Sequence, residues 1–168
     1  TPGITYYRIV ITDNLSDCSD PVSASVSVTV QPDALVTLSP ATSEICTGGS
    51  TLLTATITGG SGNLTIQWQS NTNSGGWQVV PGATSTTYLV NGVVTGSILY
   101  RVQITDNFSD CSDPLSNQVT VVVQPDATVN VTPATTEVCV GGIATLTAVI
   151  TGGSSQLTRQ WQSSPDGT

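Results

Sequence analysis

The sequence predicts an all-β chain of tandem β-sandwiches repeating every 93 residues. Three observations carry this reading. Cys18 returns as Cys111, Cys46 as Cys139, Trp68 as Trp161, and the QPDA at Gln31 as the QPDA at Gln124, always 93 residues on. Without a gap, residues 1–32 match 94–125 at 19 of 32 positions, and residues 33–75 match 126–168 at 24 of 43; a register kept this long marks a repeated module. Between the punctuating Gly, Pro, Asn and Asp lie short alternating runs rich in Val, Thr and Ile, the pattern of strands with one wet face. No segment has a helical period of useful length.

The period divides the chain into residues 1–31, the C-terminal part of one repeat; 32–124, a complete repeat; and 125–168, the N-terminal part of the next. The equivalents of residues 76–93 would close a repeat between the end of the chain and its beginning, so the chain reads as a window on a longer array. Within the complete repeat, LVTLSP and SEIC form an edge strand split at Pro40, which cannot donate to a central ladder. TGGS is a turn. TLLTATI, LTIQWQS, WQVV, TTYLV, SILYRVQIT and NQVTVVV follow as strands. Seven or so short strands in about 90 residues make a β-sandwich.

Composition excludes several functions. Eleven acidic residues against three arginines, with no lysine, give a net charge of −8. No basic patch for nucleic acid can be assembled from that inventory. The chain has no histidine, no Cys-x-x-Cys pair, no phosphate loop and no apolar run long enough to span a membrane. Neither a Ser-His-Asp nor a Cys-His arrangement can be built, so the sequence predicts a non-enzyme. Four cysteines in a chain without lysine point to an oxidising, extracellular location.

The residues also resemble a known family. STLLTATITG has the form of an immunoglobulin strand B, with Ala55 where the first core cysteine usually sits. Trp68 in IQWQS stands like the strand C tryptophan. LYRVQITD resembles strand F, with Tyr100 in the tyrosine-corner position two residues before Val102, which takes the second core cysteine's place. The resemblance therefore implies a core built on Ala55, Trp68, Tyr100 and Val102, with strands F–G in residues 1–31 and A–C in 125–168. More closely, ICTGGSTLLTATITGG followed by TDNFSDCSDP is similar to the tandem Ig-like or PKD-like repeats of giant surface proteins of the Bacteroidota, adhesins and gliding-motility proteins exported by the type 9 pathway. This implies an extracellular stalk or fibre whose partners are neighbouring copies of the same repeat.

In that topology Cys111 lies on the F–G hairpin and Cys46 at the opposite end, roughly 30 Å away at about 3.3 Å per residue, whereas a disulfide needs Cα atoms within about 7 Å. Two pairings stay open for Cys18, Cys46, Cys111 and Cys139: a staple between adjacent repeats, which is favoured, or Cys46 with Cys111 inside one repeat. No cofactor is expected, although Asp106, Asp110 and Asp113 (Asp13, Asp17 and Asp20 in the earlier copy) are calcium candidates by oxygen count. They lack an EF-hand spacing and also suit the capping of a tight hairpin. Sequons occur at Asn14, Asn63, Asn107 and Asn130, as chance allows in a chain this rich in Thr and Asn. Arg8 and Arg101 are read as surface charges. Trp77, on a Gly-rich loop, is a candidate sugar contact or a cover for the sandwich edge. Two functions remain: a structural repeat supplying length and stiffness, or an adhesive module binding glycan or another surface through its loops.

Overall fold

The computed structural model describes residues 1–14, 18–72, 74–108 and 111–165. Twelve strands and no helix occur among them. In chain order they begin with β1 (Gly3–Tyr7) and β2 (Val26–Val30), an antiparallel pair with Gly3 opposite Val30. The central unit comprises β3 (Leu35–Ser39), β4 (Thr42–Cys46), β5 (Ser50–Thr58), β6 (Leu64–Thr72), β7 (Gln78–Val79), β8 (Thr87–Asn91), β9 (Gly96–Asp106) and β10 (Val119–Gln124). The chain then forms β11 (Thr128–Thr132) and β12 (Thr147–Thr151), again antiparallel.

The central unit is a two-layer sandwich. One sheet has the order β3-β5-β8, the other β4-β10-β9-β6-β7. Pro40 splits the first strand between the two. β3 runs antiparallel to β5 on one side, and past Pro40 the chain crosses over so that β4 runs parallel to β10 on the other. The two halves of this strand thus lie at the edges of different sheets, where a residue without an N–H is tolerated. Asn117 ties the layers at this point: its Oδ1 accepts the Leu38 N–H at 2.7 Å, and its Nδ2 donates to the Leu38 carbonyl at 3.2 Å.

Alternation along the strands decides the core. β10 reads buried and half-buried by turns, and β9 does the same from Tyr100 to Asp106. Their inward residues Tyr100, Val102, Ile104, Val119 and Val121 meet Val36, Leu38, Leu53, Ala55 and Val90 of the other sheet, with Trp68 between the layers. Trp68 faces Val102 across the β6–β9 ladder and is fully buried. Its indole N–H donates to the Ser85 carbonyl at 2.8 Å, so burial leaves no orphan donor. Tyr88 links the rings of Trp68 and Tyr100, with centroids 5.6 and 5.7 Å apart. The apolar pair Ala55 and Val102 therefore fills the place of a central disulfide by packing alone.

WQVV is shorter than expected, leaving only Gln78–Val79 paired to β6. Positive φ at Ser74 and Gly76 turns the chain there, and Trp77 packs against Arg101 instead of continuing the ladder. Residues 135–139 and 157–165, which match β4 and β6, form no strand. In the central unit those strands are held by β10 and β9, and residues 125–165 contain no counterpart of either.

The local geometry recurs with the sequence. The pairing of Gly3 with Val30 is repeated by Gly96 with Val123, and that of Leu35 with Thr58 by Thr128 with Thr151. Bridges join Val10 to Val22 and Gln103 to Leu115.

Candidate functional site

The phrase TDNFSDCSDP stands between β9 and β10, and two of its acids, Asp106 and Asp113, serve the hairpin's own base. Asp106 ends β9 as a buried carboxylate. Its Oδ2 accepts the Ser61 N–H at 2.8 Å; its Oδ1 accepts the Ser61 hydroxyl and, at 3.2 Å, the Phe108 N–H. The Ser61 hydroxyl, ahead of all other contacts, holds the Asp106 carboxyl below the usual carboxylate value, with help from the side chain of Cys111. Asp113 Oδ1 accepts the Asp106 N–H at 2.9 Å, as Asp20 accepts that of Asp13 at 2.8 Å. Both oxygens of Asp106 are thus committed to protein donors. Asp17 and Asp110 lie outside the described residues, and among the described residues no three His, Cys, Asp or Glu side chains gather as metal ligands do.

The second site is the passage from β10 to β11, residues 125–127. Here backbone groups of the following loop take hold of the connecting chain. The Gly153 N–H donates to the Pro125 carbonyl at 2.7 Å, repeating Gly60 to Pro32 at 2.9 Å. A Cβ at Gly152 would strike the Asp126 carbonyl, and one at Gly59 that of Asp33, so both loops need glycine at these positive φ values. From the other side Glu44, on β4, reaches across. Its Oε2 accepts the Ser155 hydroxyl at 2.7 Å, and its Oε1 accepts the Ser155 N–H at 3.3 Å and the Gln124 side-chain N–H at 2.9 Å. These contacts, led by the Ser155 hydroxyl, hold the Glu44 carboxyl below its ordinary value.

The third site lies on the outer face of the five-stranded sheet. The Arg101 guanidinium sits 4.2 Å above the centre of the Trp77 ring, a cation–π contact. Arg101 Nε donates to Gln69 Oε1 at 2.7 Å, and Gln69 Nε2 to Gln103 Oε1 at 3.1 Å. Arg101 is therefore half-buried in a ladder of polar groups and is more than the free surface charge expected of it. Trp77 is half-buried and backed by Arg101.

All four cysteines are unbridged. Cys46 pairs in register with Gln124, beside the passage into β11. Cys111 lies past the far end of β9, where the neighbouring Ser112 N–H donates to Asp33 at 3.2 Å. The two cysteines thus occupy opposite ends of one sandwich.

Ser61, Glu44, Ser155, Gln69 and Gln103 were not singled out from the sequence. A partial signal existed for one of them, Ser61. Ser61 and Asp106 each recur 93 residues away, as Ser154 and Asp13, a hint that they act together.

Two sheets of this strand order, a buried tryptophan between them and a tyrosine two residues before the central valine define an immunoglobulin-like β-sandwich. Residues 36–125, more than half of the chain, match a family model described as a domain of unknown function (DUF8696), and the chain belongs to that family. No curated protein matches it. Among solved structures, the chain is similar to one of Dscam1 isoform 6.9, N-terminal four Ig domains, at 15% identity over 70% of this chain and 27% of that one, with a TM-score of 0.46. Dscam1 isoform 4.44 gives 14% identity over 70% and 26%, with a TM-score of 0.43. A chain from a structure on T cell specificity and activation by the bacterial superantigen toxic shock syndrome toxin-1 gives 13% identity over 54% and 98%, with a TM-score of 0.40. The chain spans about a quarter of the length of the two Dscam1 chains.

Proposed function

We propose that this chain is a non-enzymatic structural segment of an extracellular bacterial surface fibre or stalk, in which tandem immunoglobulin-like repeats supply length and stiffness. One observation carries the reading: Glu44 reaches past residues 125–127 to Ser155, while Gly153 fixes the Pro125 carbonyl on the far side of the junction. A connection meant to swivel would leave those groups to water. The acidic, lysine-free composition and the resemblance to giant surface proteins agree with an exposed, exported array. In such an array the Cys46 end of one repeat meets the hairpin cysteine of the next, and a disulfide there fastens consecutive repeats. The test is electron microscopy of the protein on, or shed from, its source cells. Beaded fibres with one bead per roughly 40–50 Å support the reading, and isolated single beads bound to a partner overturn it.

An adhesive function is the second reading, favoured by the Trp77–Arg101–Gln69–Gln103 face. A half-buried indole beside fixed amide groups suits the apolar face and hydroxyls of a sugar ring. Quenching or shift of Trp77 fluorescence on a panel of glycans, lost in Trp77→Ala, is the expected sign.

A further inference from the structure

We propose that the outer face around Arg101 binds carbohydrate through a carboxylate, so that the ligand class is an acidic glycan built from uronic-acid-type sugars. The inference rests on the adhesive reading above and names its ligand. Arg101 is an isolated cation. The strands that form this face, β6, β7, β9 and β10, carry two charged residues between them, Arg101 and Asp106. Asp106 is buried, and its oxygens are taken by Ser61 and Phe108. Arg101 stands on the opposite face, with Gln69 as its register partner, and among the described residues no carboxylate forms an ion pair with it. A half-buried charge is costly to leave without a partner, and a guanidinium fork matches a carboxylate through two parallel hydrogen bonds.

The hydrogen bonds of the face use up its acceptors and leave donors over. Arg101 Nε donates to Gln69 Oε1, and Gln69 Nε2 donates to Gln103 Oε1, so both amide oxygens of this ladder are spent inside the protein. The groups left without a protein acceptor, among the described residues, are the two terminal nitrogens of Arg101, the Gln103 amide nitrogen and the Trp77 indole N–H. None of these is buried, the orphaned buried atom being Asn71 Oδ1. With the guanidinium over one face of the indole, Trp77 fixes the plane of the fork. Such a set of donors calls for acceptor oxygens around a formal negative charge. A uronic-acid ring supplies both in one rigid unit, a carboxylate for the fork and hydroxyl oxygens for the neighbouring N–H groups. An acidic peptide suits a cluster of cations or a free strand edge; here there is one cation, and the edge beside it, β7, is two residues long. The net charge of −8 repels an anion at long range, so capture depends on this local contact.

The test is calorimetric titration of the chain at neutral pH and about 0.15 M salt, where exposed charges more than about 8 Å apart are largely screened. The ligands are trimers of galacturonate, guluronate and mannuronate, each beside its methyl-esterified form, with hexaglutamate as the peptide probe. At least one acidic trimer should bind. Its methyl ester, which keeps the ring and the hydroxyls and loses the charge, should bind about ten- to a hundredfold more weakly, the range for losing a charged hydrogen-bond partner. This comparison leaves the protein untouched and so holds even where a variant folds poorly. Arg101→Gln should bring the acidic trimer down to the level of its ester and leave the ester where it was. Arg101→Lys keeps the charge without the fork and should restore part of the preference. Equal affinity for acid and ester overturns the inference while the adhesive reading stands. Binding untouched by Arg101→Gln overturns it as well, and hexaglutamate held as tightly as the best trimer overturns the choice of a glycan. If no trimer binds in either form the inference falls, and the adhesive reading is then decided by the Trp77 response to neutral glycans.

Discussion

Trp68 and Trp161 offer the same residue in matching sequence and in opposite surroundings, which isolates what burial contributes. Trp68→Phe removes the indole N–H and leaves the buried Ser85 carbonyl without its donor. An unmade bond of this kind costs about 1–3 kcal/mol, and the void left by the smaller ring adds about 1 kcal/mol. The sum is about 2–4 kcal/mol. For a unit of about 90 residues, 1 kcal/mol moves the melting midpoint by about 4–8 °C, so Trp68→Phe should lower it by about 8–32 °C. Trp161, more than half exposed, belongs to the surface class, where substitutions cost within about 0.5 kcal/mol and should shift the same transition by about 4 °C or less. Thermal melts followed by far-ultraviolet circular dichroism read both values. Equal shifts in the two variants, or no shift in Trp68→Phe, would refute the view that the sandwich at residues 32–124 is held by this core.

Three further outcomes follow from the same geometry. The lowered carboxyl of Asp106 means that its stabilisation is fully present above the unfolded value of about 3.9 and is lost as pH falls through the lower folded value; melts between neutrality and strong acid should fall steeply for the wild type and more gently for Asp106→Asn. Burial, followed by the nearby Tyr88, pushes Tyr100 up to about 12; its contribution is intact below the unfolded value of about 10 and disappears as pH rises through the folded one, so Tyr100→Phe should flatten alkaline unfolding monitored by phenolate absorbance. Glu44→Ala frees Ser155 and should broaden the distribution of maximum dimensions in small-angle X-ray scattering without changing the melting of the central unit; an unchanged distribution would show that the Pro125–Gly153 hold suffices alone.

The core was legible because its signals are local and periodic. Trp68, Tyr100, Val102 and Ala55 stand at fixed steps along alternating strands, and alternation fixes which face is buried. The division of the first strand at Pro40 was legible for the same reason, since a residue without an N–H restricts its own neighbours. The side chains that act at the candidate sites were not. Asp106 looked like one more acid on a wet hairpin, and only the approach of the loop holding Ser61 makes it a buried acceptor. The grip of Glu44 was further hidden by the sequence itself: its partner Ser155 stands where the preceding copy has Gly62, so comparison of the copies marks that position as variable. Arg101 appeared free because nothing local announces that the chain turns at Ser74 and Gly76 to bring Trp77 beneath it.

The crossing of the first strand at Pro40 has a mechanical consequence. A pull along the chain enters the sandwich through β3 and β4 and leaves through β10, the strand that continues into β11. Because β4 and β10 are parallel, drawing their outer ends apart slides one strand along the other. Five register pairs, from Thr42 with Thr120 to Cys46 with Gln124, are then loaded together in shear, and none can open before its neighbours. An antiparallel pair held at one end would unzip one bond at a time under far smaller force. The same proline that looks like a flaw in a strand thus sets the direction from which the module resists being pulled open.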